Sequence, residues 1–287
     1  MLESTIQIHF DGEITKNHEI PLNVLAKSLT SIESSIHRAY LDIKHKGSVK
    51  HRRMKPEDIE DVLFWVGKST DGGFVLDMVC NSELGRKVVD SIGEKLQTTM
   101  GNIEGKGRAK LDSITSQVKQ KQENFPKSKP ISYPDFKAKA EDEAQRSYAT
   151  KSILKEYAEL LKIIKSENSG KSTLEITLTG KEIVRIDFNR EKAIKFVNLL
   201  SEKKAGEPVL FKGEITALNK KTKTGKFTNS ETKKTATLRV LNQDDFLKVH
   251  PLMAESEVEF VGIPIYEYGS IDTLAGDIYF IERHQQL

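Results

Sequence analysis

At Gly170 the period of the sequence changes. Upstream, Tyr157, Leu160, Leu161 and Ile164 recur at steps of three and four; downstream, Leu174, Ile176 and Leu178 alternate strictly with Thr173, Glu175, Thr177 and Thr179. The first period is that of a helix with one apolar face, and the second that of a strand with one buried face. A helix must therefore stop and a strand begin across one short connection. Ser169-Gly170 reads as the stop, because glycine takes the left-handed conformation that the residue after a helix commonly needs. The same argument disposes of Gly170-Lys171-Ser172-Thr173 as a phosphate-binding loop. Such a loop needs another glycine five residues earlier, where Lys165 stands, and it runs from strand to helix so that phosphates meet the helix N-terminus. Here the order is reversed.

The same two periods partition the rest of the chain, which at 287 residues is long enough for two or three structural units. Ile6, Ile8 and Phe10 alternate with Gln7 and His9 ahead of a turn at Asp11-Gly12, predicting a strand with His9 on its solvated face. Leu25, Leu29, Ile32, Ile36, Tyr40 and Ile43 predict an amphipathic helix over 23–45, capped by Asn23. Residues 61–67 and 73–80 are rich in strand formers around the turn chemistry of 69–73, which predicts a hairpin. Leu84 to Ile103 and Phe136 to Ile164 carry helical patterns around a connector with three prolines, Phe125 to Pro134, and predict a long helical hairpin. Residues 173–179 and 182–188 form a second hairpin, followed by a helix over 190–203. The expected class is α+β, organised as 1–81 (strand, helix and hairpin), 82–168 (helical), 171–205 (strand hairpin plus helix) and 206–287.

The last segment is the most informative. Strand patterns at Val209–Leu218, around Lys226–Asn229 and at Thr235–Leu241 are followed by a short helix, Asp244–Leu252, then by strands at Glu257–Tyr268 and Asp277–Arg283. Three strands, a helix and two strands resemble the order of a small OB-like β-barrel, with Gly213 expected to bend or bulge the first strand. The resemblance is to a fold and covers about a quarter of the chain. It implies oligonucleotide contact through the first connection and its adjoining strands. That connection contains Lys220, Lys221, Lys223 and Lys226, suited to phosphates, while Phe227 and Tyr266, with Tyr268 and Tyr279, are candidates for stacking on bases. A second basic run, Lys44 to Lys55, holds six positive side chains and no acid; Lys50, Arg52 and Arg53 within it are further phosphate candidates.

The net charge of +3 conceals an opposition inside this region. Residues 203–239 hold ten basic and three acidic side chains, and residues 240–287 hold two basic and nine acidic ones. The halves either present two faces, which favours self-association or a protein partner, or pair with each other.

Catalytic arrangements are sparse. Seven histidines form no HExxH pair, the lone Cys80 cannot build a zinc site or a disulfide framework, and there is no GxSxG elbow. Asp90 with Glu104-Gly105-Lys106 resembles the carboxylate and lysine set of metal-dependent nucleases but falls on a glycine-broken helix. Asp272 and Asp277 bound a polar loop better suited to capping itself than to holding a cation. The sequence calls for no metal and no cofactor. Cys80 lies in an apolar run and reads as a buried, inert thiol in a reducing compartment. No apolar stretch spans a bilayer and the first residues lack signal-peptide character, so no membrane association and a cytoplasmic location are expected. The reading that follows is a binding protein acting through nucleic-acid contact or protein assembly. The alternatives are a nucleic-acid-processing enzyme with a dispersed site and a homo-oligomeric structural protein.

Overall fold

The computed structural model describes residues 3–16, 19–46, 52–67, 74–104, 112–125 and 129–284, apart from the side chains of 141–146 and 168. The fold is α+β with a closed five-stranded barrel in its C-terminal region. The chain divides into two compact units that alternate along the sequence, Met1–Arg108 with Tyr148–Ser201, and Ala109–Ser147 with Glu202–Leu287.

The first unit is an antiparallel sheet with helices packed on it. Its strands are β1 (Ser4–Asp11), β2 (Trp65–Val66), β3 (Phe74–Cys80), β5 (Thr173–Thr179) and β6 (Ile183–Phe188), in the order β2-β3-β1-β5-β6. Alternation places Ile6, Ile8 and Phe10 of β1, Leu174, Ile176 and Leu178 of β5, and Val184, Ile186 and Phe188 of β6 in the core. Helix α3 (Glu83–Glu104) packs on β1, β5 and β6, and on helices α1 (Leu22–His45) and α6 (Arg190–Leu200). Gly170 has a φ of +56°, the left-handed stop expected between helix and strand. Helix α1 begins after Pro21, so Asn23 lies within the first turn and does not cap it. The first expected hairpin is shorter than its sequence pattern. Pro56, Glu57 and Asp58 open a helix, α2 (Pro56–Asp61), which leaves β2 only two residues to pair with β3; the turn at 69–73 lies outside the described residues.

The second unit is the barrel. Its five strands are β8 (Val209–Asn219), β9 (Thr224–Asn229), β10 (Thr235–Arg239), β11 (Val258–Glu267) and β12 (Ile278–Arg283). They pair in the order β8-β9-β10-β12-β11, and β11 returns to β8 to close the ring. Only β10 and β12 run parallel in this ring, and helix α7 (Gln243–Val249) lies between the third and fourth strands. Short strands β4 (Ile131–Ser132) and β7 (Lys203–Ala205) extend the sheet along β8 and β11. Phe211, Phe227, Phe260 and Phe280 fill the interior, with the rings of Phe227 and Phe260 edge to face at 5.0 Å. Tyr133, Phe136 and Ala140, at the start of α5 (Tyr133–Lys165), join this core. Helix α4 (Ile114–Asn124) packs outside it, where Val118 and Phe125 meet Val261, Ile263 and Ile265.

Two expectations are corrected here. The central helices do not make a layer of their own: α3 belongs to the first unit, α4 to the second, and α5 contributes residues to each. The irregularity in β8 falls between Ile215 and Ala217 and not at Gly213. Gly213 is required by a close approach, since a Cβ there would lie 2.1 Å from the Thr228 carbonyl oxygen and 2.8 Å from the Phe227 ring.

Candidate nucleic-acid interface

Strand β9 is entered and left through two turns of the same construction. In the first, Asn219 Oδ1 accepts hydrogen bonds from the backbone N–H groups of Lys221 (3.0 Å) and Thr222 (3.1 Å), and Lys223 has a left-handed φ of +54°. In the second, Asn229 Oδ1 accepts from Glu231 (2.8 Å) and Thr232 (3.0 Å), and Lys233 has a φ of +56°. An asparagine side chain bonded to the backbone ahead of it closes the chain on itself. Asn219 consequently pairs directly with Thr224. The first connection is tight, and Lys220, Lys221 and Lys223 lie at its tip.

Beyond the turn, β9 alternates. Phe227 and Asn229 are buried while Lys226 is exposed on the outside of the barrel, between Ala217 of β8 and Thr237 of β10. The outward residues around it are Thr224 and Thr228 on β9 and Thr235, Thr237 and Arg239 on β10. Hydroxyl groups line this face, with Thr222 and Thr224 bonded at 2.7 Å and Thr228 and Thr235 at 3.1 Å.

The opposed charges of the two halves pair within the unit. Lys212 lies 3.1 Å from Glu257 and 3.5 Å from Glu259, Arg239 donates to Asp277 at 2.7 Å, and Lys203 lies 3.9 Å from Glu267. The Glu257 carboxylate beside it holds the Lys212 ammonium above its usual pKa. Among the described residues, Lys220, Lys221, Lys223 and Lys226 have no such partner. Three of the ten basic side chains of residues 203–239 pair in this way, and the lysines of the first turn and β9 are not among them.

No family model, curated protein or solved structure matches this chain.

Of the expected stacking residues, Phe227 is enclosed, while Tyr266, Tyr268 and Tyr279 are half-buried. Phe227 is wholly buried in the barrel core, so it presents no face to a base. Tyr266 packs partly buried against the same core, and Tyr279 packs against the outer cluster beneath α4, where burial raises its hydroxyl pKa.

In the second basic run Lys44, Arg52 and Lys55 lie near His45, whose pKa is lowered by burial and then by these charges, and both lysines have acidic partners. Lys44 is bonded to Asp58 and donates to the Tyr40 hydroxyl at 3.2 Å, and Lys55 lies 3.6 Å from Glu57. Arg52 and Arg53 are exposed on the first unit, and Lys50 lies outside the described residues.

The carboxylates of the nuclease-like set have partners within the fold. Asp90 accepts a hydrogen bond from the Lys181 backbone N–H at 2.8 Å and Glu104 pairs with Lys192 at 2.9 Å; Gly105 and Lys106 lie outside the described residues. Asp272 accepts from Leu274 and Ala275 within its own loop. His9 alternates with the core residues of β1, but its Nε2 is enclosed without a hydrogen-bond partner. It borders a concavity of about 340 Å³ with Asp11, Glu175, Asp187 and Lys192. No group of three or more His, Cys, Asp or Glu suited to a metal ion occurs among the described residues, and no helix among them is long and apolar enough to cross a membrane. Cys80 is buried, its sulfur 3.3 Å from Ser82 Oγ.

Proposed function

We propose that this protein binds nucleic acid through its barrel, with Lys220, Lys221, Lys223 and Lys226 contacting phosphates. The supporting observation is the sorting of charge. Lys203, Lys212 and Arg239 are paired with acids of the barrel unit, whereas these four gather on one turn and the adjoining outward strand with no ion-pair partner among the described residues. Clustered unpaired cations attract a polyanion, and release of its condensed counter-ions makes the affinity steeply dependent on salt.

The test is fluorescence anisotropy of a labelled single-stranded oligonucleotide across a salt series, with the wild type and the K220A/K221A/K223A/K226A variant. Four phosphate contacts predict a log–log slope contribution of about −2.8 on a single strand, or about fifty-fold weaker binding between about 50 and about 200 mM salt. The variant should lose that part of the slope. Equal slopes for the two proteins would contradict the proposal.

A further inference from the structure

The lysine-bearing face of β9 and β10 offers cations with no aromatic ring among its outward residues. Consecutive residues of a strand face opposite sides, so the register that turns Lys226 outward turns Phe227 into the core. The outward neighbours on β9 and β10 are threonines and Arg239, and no aromatic ring stands among them. Tyr279, next to Arg239 across β10 and β12, stands two strands away from Thr224 and packs half-buried against the outer apolar cluster. The cationic end is also asymmetric. The turn at Asn219 carries three lysines and no acid, whereas the like turn at Asn229 carries Glu231, and Ser230 of that turn donates to Glu257 at 2.6 Å, bringing another carboxylate beside Lys233. The second turn also carries Lys233 and Lys234, so phosphates are favoured more strongly at the first turn and along β9 from it than at the second.

From this we infer that the barrel grips the sugar–phosphate backbone alone: its ligand class is nucleic acid read without its bases, held by ammonium groups and threonine hydroxyls at the Asn219 turn. The inference rests on the nucleic-acid reading above. Base–aromatic stacking contributes about 1–3 kcal/mol per base where it exists, which is about a five-fold to more than a hundred-fold effect for each base removed. A surface without rings should be indifferent to such removal.

The experiment compares three labelled single strands of equal length with the full chain at one low salt concentration: oligo-dT, oligo-dA and a strand whose sugars carry no bases. Dissociation constants within about three-fold of one another, with equal salt slopes, are the expected result. Binding of the abasic strand weaker by ten-fold or more, with its salt slope unchanged, would overturn the inference while leaving the nucleic-acid reading intact. Absence of binding by all three would overturn both. A positive control adds the missing ring: in T237W, an aromatic beside Lys226 should make the protein prefer the base-bearing strands, with retention of the fold checked by circular dichroism. Failure of a correctly folded T237W to discriminate, when the wild type also does not, would count against the outward face of β9 and β10 as the contact surface.

Discussion

Lys212 and Lys226 are both lysines on barrel strands, and only their surroundings separate a structural role from a binding one. Lys212 has two carboxylates within reach and Lys226 has none among the described residues. A similar contrast explains the basic run in the first unit, where Asp58 captures Lys44. Asp58 is almost fully buried, and its carboxyl is held at a pKa of about 2, first by Lys44 and then by the Lys55 backbone N–H. Tyr40 of the same network is pushed up to about 12, chiefly by burial. The signs are opposite in effect. The Asp58 contribution to stability is complete above its ordinary value of 3.8 and is lost as pH falls toward 2. The Tyr40 contribution is complete below 10.0 and is lost as pH rises toward 12. In D58N, the urea midpoint should fall less steeply than in the wild type between about pH 4 and about pH 2. An acid limb as steep as that of the wild type would show that Asp58 is not set apart by this network. Phe227 teaches a different lesson at this scale: Lys226 and Phe227 are adjacent in one strand, so strand geometry alone forbids both from facing one ligand.

At the scale of elements, alternation was the most legible signal. The strands at Ile6, at Leu174 and from Val209 onward appear where their apolar residues recur every second position, and the five-strand order with one helix was sufficient to anticipate the barrel. Short elements were not legible in this way. Strands β2, β4 and β7 have two or three residues, too few to establish a period, and they exist because a neighbouring strand offers hydrogen bonds. Helix α2 did leave a signal, with Pro56 and two acids at its start, which outweighs the strand propensity that follows. The central helices form where expected, but sequence period says which face is apolar and not what covers it. The tightness of the turn at Asn219 lay in the asparagine, whose side chain replaces a backbone turn. Gly213 was conspicuous in sequence for a bend it does not make. Because a Cβ there would press on the Thr228 carbonyl and the Phe227 ring, G213A should cost about 1–3 kcal/mol by overpacking. Chemical denaturation measures it, and a change under about 0.5 kcal/mol would mean the two strands can separate at no cost.

At the scale of the whole molecule, each unit has its own apolar core, and the chain enters each of them twice. The net charge of +3 describes neither unit well, because what matters for binding is which cations remain after internal pairing. In the barrel unit those include the lysines of the Asn219 turn and β9. The most direct measurement is a lysine-acetylation footprint of the full chain, read by mass spectrometry with and without a saturating single-stranded oligonucleotide. Protection of Lys220, Lys221, Lys223 and Lys226, with unchanged labelling of Lys195 on helix α6, is the result this assignment predicts. Labelling of those four lysines that is unaffected by an oligonucleotide already shown to be bound would place the contact elsewhere and contradict it.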